Sequence, residues 1–229
     1  MKKIILSLFL VGAFYACSNE SGTATTSTEN TEVVEKEKSN KKYAKKPERT
    51  PMSGLDQLVR AVKGENAVVQ WEGTKPTGTH VGNLDLEEKM IVFEEGELKV
   101  VNLAFDMTSI TCTDISNPDY NAKLINHLRS DDFFNVDNYP TAHFKSTSIT
   151  KDENSFIVKG DVTIKGITHS ITVPMYLREN EEMYLLVGGV EVDRTKFNIR
   201  YKSKSIFPDL GDKFISDNFT IKFAIPQKK

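Results

Sequence analysis

From residue 67 onward the chain alternates apolar and polar positions with a period of two. Phe156, Val158, Gly160, Val162 and Ile164 share one side of a segment whose other side carries Lys159, Asp161, Thr163 and Lys165. Ile167, Ile171, Val173, Met175 and Leu177 oppose Thr168, Ser170 and Thr172, while Phe219, Ile221, Phe223 and Ile225 oppose Asn218, Thr220 and Lys222. Such alternation predicts antiparallel strands with one dry and one wet face. Further strand-like segments cover residues 67–72, 79–87, 90–94, 98–107, 141–150 and 183–193. Eight or nine strands without alternating helices predict an all-β domain, either an antiparallel up-and-down barrel or a sandwich. A barrel also removes the exposed edges that an open sheet leaves.

One helix interrupts this run. Asn117 is placed as an N-cap with Pro118 at the first helical position, and Tyr120, Leu124 and Leu128 recur at helical spacing with Ile125 beside them. Asp119 near its start and Arg129 near its end suit the helix dipole. A second, shorter helix is expected over residues 53–64, where Ser53 and Asp56 have capping-box spacing and Leu55, Leu58, Val59 and Val62 form one stripe. That stripe needs a surface: it either plugs one end of a barrel, the favoured reading, or packs on a second copy in a homodimer.

The first 52 residues have a different composition. Lys2 and Lys3 precede an apolar run from Ile4 to Phe14 and then Tyr15, Ala16 and Cys17. A basic start, a short apolar run and a small residue before a cysteine predict a secretory signal over residues 1–16, with lipid attachment at Cys17. The run is too short to span a bilayer. Residues 17–52 are polar and charged, with few aliphatic side chains to offset the entropy of ordering, and are expected to form a disordered linker. An exported protein of the bacterial cell envelope follows, a periplasmic or outer-membrane lipoprotein tethered through acylated Cys17. The folded domain then covers residues 65–227.

Charge narrows the partners. The 229 residues carry 30 basic and 32 acidic side chains, a net charge of −2, and the balance becomes more acidic once Lys2 and Lys3 are removed. Nothing in this balance, and no basic patch interleaved with aromatics, points to nucleic acid. The histidines, His80, His127, His143 and His169, show no zinc-motif spacing. No nucleophile elbow, P-loop or dinucleotide fingerprint is present. Neither catalytic residues nor a metal or cofactor is expected. An enzyme would need His80 or His169 to converge with a carboxylate. With Cys17 acylated, Cys112 is left without a disulfide partner and reads as a buried thiol.

Three segments carry a resemblance. They are His127-Leu128-Arg129-Ser130-Asp131-Asp132-Phe133-Phe134, then Asn138-Tyr139-Pro140-Thr141-Ala142-His143-Phe144, then Gly160-Asp161-Val162-Thr163-Ile164-Lys165-Gly166-Ile167-Thr168. In order and spacing they resemble the hallmark segments of the YceI-like family. Trp71, Gly78, His80 and Gly82 fit that family's opening, whereas residues 83–88 depart from it with fewer aromatics and more acid. The resemblance implies a lipocalin-like antiparallel barrel whose lumen holds a long isoprenoid lipid.

The residue pattern alone leaves the lumen open to two readings. Small residues at Gly82, Gly160, Gly188 or Gly189, Ser146 and Ser148 either leave unfilled volume or face large neighbours in a solid core. The resemblance favours the tunnel. Its lining is then expected from His80, Leu84, Leu103, Phe105, Phe144, Phe156, Val158, His169, Ile171, Val173, Phe219 and Phe223, with His80 and His169 either meeting a lipid head group or acting as structural residues. The rival function is a structural or interaction module with a filled core. Residues 195–217 are too long for a hairpin turn. Phe197, Ile199, Ile206, Phe207, Leu210 and Phe214 either cover the barrel mouth or pad its outside.

Overall fold

The computed structural model describes residues 54–153 and 155–229, so the signal, Cys17, the linker and Ser53 lie outside the described residues. Eight strands form: β1 (Val68–Lys75), β2 (Gly78–Glu94), β3 (Glu97–Asp106), β4 (Thr141–Asp152), β5 (Ser155–Ile164), β6 (Ile167–Glu179), β7 (Met183–Asp193) and β8 (Asn218–Lys228). Each is antiparallel to the next, and β8 pairs with β1 to close a barrel. Two helices accompany them, α1 (Leu55–Ala61) and α2 (Pro118–Arg129).

Three bulges decide which side chains point inward. In β2 the register slips between Leu86 and Glu88, so the two segments expected at 79–87 and 90–94 are one 17-residue strand. One extra residue reverses the parity, and Ile91 continues the dry face that Leu84 began. A second slip, where Val92 and Phe93 pair with Val100 and Leu98, does the same in β3, so that Leu98 and Val101 are both buried. A third, between Ser146 and Ser148, does it in β4. The two serines therefore do not open space in the lumen as expected: Ser148 is exposed, and the Ser146 hydroxyl accepts a 3.0 Å hydrogen bond from the Val101 N–H.

The glycines are likewise filled by their neighbours. A methyl group built on Gly160 would lie 2.5 Å from the Phe144 ring, and one on Gly188 would lie 2.7 Å from that of Phe223. At Gly82 the approach is closer still, 1.7 Å from the Thr111 carbonyl oxygen, because residues 110–113 run along β2. Thr111 N–H donates to Asn83 O at 3.0 Å, Thr113 N–H to Val81 O at 2.9 Å, and the Trp71 indole N–H to Thr111 O at 2.9 Å. Only glycine admits a crossing backbone at that distance.

α2 starts as its sequence dictates. The Asn117 side chain accepts from the Asp119 and Tyr120 N–H groups at 3.0 and 3.1 Å, ahead of Pro118. Leu124, Ile125 and Leu128 pack on the core, while Tyr120, the first residue of the expected stripe, is 67% exposed. α1 differs from expectation. Leu55 and Leu58 bury themselves against Val187 and Ala224, with Val68 and Leu185 alongside. These residues have the parity opposite to the inward positions of β1, β7 and β8, so α1 lies on the outside of the barrel and does not plug its end. Arg178 ties the helix down through Asp56 at 2.7 Å.

Both long connections, residues 107–140 with α2 and residues 194–217, leave the same end of the barrel. Tight turns join β2 to β3 and β4 to β5 at the other end.

Candidate functional site: a cavity at one end of the barrel

The mouth-side halves of the strands, α2 and residues 194–217 enclose a cavity of about 540 Å³. Its walls are Leu84, Leu103, Phe105, Phe144, Val162, Ile171, Val173, Val190, Val192, Phe219, Ile221 and Phe223, with Met175 and Ile225 deepest. Leu124, His127 and Leu128 of α2, with Phe133, Phe134, Tyr201 and Ile215, form a roof. The rim holds Lys75, Thr77, Asp212 and Lys213, all exposed, and half-buried Lys202. The volume is within the range of small-molecule sites, and the lining is predominantly apolar.

Of the expected lumen residues, His80, Leu84, Leu103, Phe105, Phe144, Ile171, Val173, Phe219 and Phe223 line this space. Phe156, Val158 and His169 do not. Phe156 and Val158 are 3% and 0% exposed, packed with Leu98, Val101 and Leu186 where the barrel is solid. They form a floor, and the cavity does not run the length of the strands. His169 is held by the turn that follows β7: its Nε2 is 3.0 Å from Lys196 O and its ring meets the Phe197 ring edge-on. That makes it a structural residue at the barrel end.

Residues 194–217 contribute to the mouth, but through other side chains than expected. Tyr201, Lys202, Asp212, Lys213, Ile215 and Ser216 face the cavity. Phe197 and Ile199 are fully buried beneath the connection, Phe207 stays 47% exposed, and Ile206, Leu210 and Phe214 do not line the cavity.

The polar part of the site is concentrated in three places. His80 Nδ1 lies 2.8 Å from Asp114 Oδ2, while Asp114 Oδ1 accepts from Val81 N–H at 2.9 Å and from the Cys112 thiol at 3.2 Å. Burial pushes the Asp114 carboxyl up, but the Val81 N–H, His80 and the Cys112 thiol outweigh it and hold it below the usual carboxylate range. His80 thus meets a carboxylate, as an enzyme would require. The nearby thiol, however, donates to that carboxylate and not to the imidazole, and burial raises its pKa, so no activated nucleophile results. His127 sits in the roof between the rings of Phe133 and Tyr201, at 4.9 and 4.5 Å, with Asp132 at 3.2 Å.

The third place is Arg194, which the sequence pattern does not mark. It is 3% exposed and lines the cavity, donating to the carbonyls of Ser216, Ile199 and Ile215 at 2.8, 2.8 and 3.0 Å. Burial lowers its pKa against the pull of Asp217 and Asp193. Three backbone acceptors make it the rivet of the 194–217 connection. No periodic pattern marks such a residue, because what it binds is backbone. Among the described residues no group of three or more His, Cys, Asp or Glu side chains is placed to hold a metal ion.

Comparison with known proteins fixes the family. The family model described as YceI-like domain matches residues 61–226. This chain belongs to the YceI-like family. Protein YceI of Shigella flexneri is 39% identical over 72 residues, 31% of this chain and 38% of that protein. UPF0312 protein plu2095 of Photorhabdus laumondii is 36% identical over 114 residues, 49% of this chain and 58% of its own length. The alignments thus span between about two-fifths and three-fifths of these relatives. Among solved structures, Burkholderia cenocepacia BcnA superposes with a TM-score of 0.58 at 22% identity, covering 70% of this chain and 96% of that one. A polyisoprenoid binding domain from Saccharophagus degradans gives a TM-score of 0.51 at 12% identity, over 71% of this chain and 93% of its own. At such identities the two structures establish the fold of the YceI-like barrel, a closed eight-stranded antiparallel one.

Proposed function

We propose that this YceI-like protein is a non-catalytic carrier or sink for a long apolar lipid of the isoprenoid type, tethered to a membrane of the cell envelope through acylated Cys17. The apolar cavity supports the reading: a structural module would fill that space with its own side chains. The polyisoprenoid binding of the Saccharophagus degradans domain, which shares the fold, points to the same ligand class. No cofactor is invoked. At about 30 Å³ for a water-sized group, 540 Å³ takes on the order of eighteen such groups, so a tail of roughly that many carbons fills it. Longer tails must leave one end outside the mouth.

Each buried methylene contributes about 0.8 kcal/mol before entropy losses. Titrating a series of isoprenoid alcohols of increasing length is therefore expected to show affinity rising by several-fold per carbon and levelling near eighteen carbons. Native mass spectrometry of protein purified from bacterial membranes is expected to show a co-purifying lipid. A protein that arrives empty and takes up no member of the series would overturn the reading.

A further inference from the structure

We infer that the cavity's occupant carries an anionic head group, a phosphate or a carboxylate, received at the mouth by Lys75, Lys202 and Lys213. This rests on the carrier reading and specifies the polar end of its ligand. The three lysines line the cavity, and none has a carboxylate within ion-pair distance among the described residues. Four lysines elsewhere are paired, Lys99 with Glu97, Lys222 with Glu72, Lys228 with Glu65 and Lys229 with Glu179. Others on the outer face, such as Lys145 and Lys159, are not in ion pairs among the described residues, and what sets the mouth lysines apart is that they line the cavity. Lys202 is held by the ring of Tyr201, its ammonium 5.3 Å from the centroid. Arg194 also lines the cavity, but it donates to backbone carbonyls and Asp217 lies within ion-pair distance at 3.8 Å, so its charge is balanced locally. Against the three lysines, Asp212 is the one acid of the lining.

The sequence concentrates charge in the same place. Residues 194–217 contain Arg194, Lys196, Arg200, Lys202, Lys204 and Lys213 against Asp209, Asp212 and Asp217, in a chain whose net charge is −2. Tyr201, Phe197 and Phe207 interleave with them. An excess of basic residues is thus gathered into one connection, and that connection contributes to the mouth. A cleft of one charge sign opening from low-dielectric walls focuses its field on whatever enters. A neutral alcohol or phenol gains nothing from it. An anion does, with its tail in the apolar cavity and its charge left at the wet rim, where desolvation is slight.

The test compares tails of equal length with different heads, using the full mature chain. Geranylgeranyl monophosphate is titrated against geranylgeraniol, and palmitate against hexadecanol, at low and high salt. Each exposed lysine contributes modestly, and three together are expected to favour each anion over its alcohol by about tenfold at low salt, with the advantage shrinking as salt rises. The triple variant Lys75→Gln, Lys202→Gln, Lys213→Gln is expected to bring the anion-to-alcohol ratio close to one. The variant Lys145→Gln, Lys151→Gln, Lys159→Gln, with the same charge change on strands β4 and β5 away from the cavity lining, is expected to keep it. The phosphate and carboxylate pairs show which anion is preferred. Equal affinities for anion and alcohol, or a ratio that the mouth variant leaves intact, would overturn the head-group inference while the carrier reading stands. Binding of neither pair would overturn both. Loss in the mouth variant of binding to phosphatidylglycerol vesicles, with no head preference in solution, would assign the lysines to a bilayer and refute the inference.

Discussion

One set of strands builds two unlike halves of this barrel. Toward the tight turns, Leu98, Val101, Phe156, Val158 and Leu186 fill the interior, and Phe93 stacks on Tyr184 with ring centroids 4.0 Å apart. Toward the long connections, residues of the same strands and the same type, Val162, Val190 and Val192, border empty space. On β5 the change comes between Val158 and Val162, with Gly160, covered by the Phe144 ring, between them. Inward-pointing apolar side chains therefore do not make a lumen. What makes one is the pair of connections at the mouth, which hold the rim apart and roof it with α2, so that side chains from opposite walls do not meet.

The largest effect is expected at the floor. Phe156→Ala removes a ring that is 3% exposed, at a cost of about 3–5 kcal/mol. Urea denaturation measures the loss. Because the ring lies in the solid half and does not line the cavity, surviving folded protein should keep the parent's plateau in the chain-length series. A plateau that moves up would mean that this ring alone keeps the cavity from running deeper.

A finer comparison uses one residue type on one strand. Val158→Ala takes two methyl groups out of close packing and should cost about 2.5 kcal/mol, the transfer loss plus the void left behind. Val162→Ala borders a void already present, loses fewer contacts, and should cost about 1 kcal/mol. Equal losses by denaturation would show that the mouth half is packed as tightly as the floor. For ligand binding the order reverses: Val162→Ala should alter lipid affinity and Val158→Ala leave it near the parent value.

How much of this was legible follows from the same contrast. Period-two alternation and the resemblance in residues 127–168 predict the strands and the closed all-β fold, and Asn117-Pro118 predicts the start of α2, because these signals are local. The bulges at Leu86–Glu88 and Ser146–Ser148 are not visible in a pattern of polar and apolar letters, yet each reverses the parity beyond it. The glycines misled for a related reason: Gly160 and Gly188 are small so that Phe144 and Phe223 can lie over them, and the space they seem to leave is already taken. Phe156 and Val158 share their face with Val162, and only depth along the barrel separates floor from cavity. The stripe of α1 is apolar in sequence and buried in the structure, but nothing in the helix says that its partner is the outside of the barrel. Arg194 could not be found at all from spacing, since its acceptors are carbonyls 5 to 22 residues away.

The smallest effect is expected at the rim, where hydrogen bonds and not packing hold the structure. Asp114 joins Val81 of β2 and the imidazole of His80 to the segment after β3. Its carboxyl titrates below the usual range in the folded protein, so the stability it adds is complete above the unfolded-state value near 3.8 and drains away as pH falls through the lower folded value. Asp114→Asn keeps an oxygen for the Val81 N–H but loses the charge facing His80, and at neutral pH it should cost about 1 kcal/mol or less, since the site is partly open to water. The difference between variant and parent should then narrow as denaturation is repeated at successively lower pH below about 4, because the parent carboxyl itself becomes protonated. A gap that stays constant into acid would show that Asp114 acts through its shape alone. A gap comparable to that of Val158→Ala would mean that the mouth is braced as firmly as the floor.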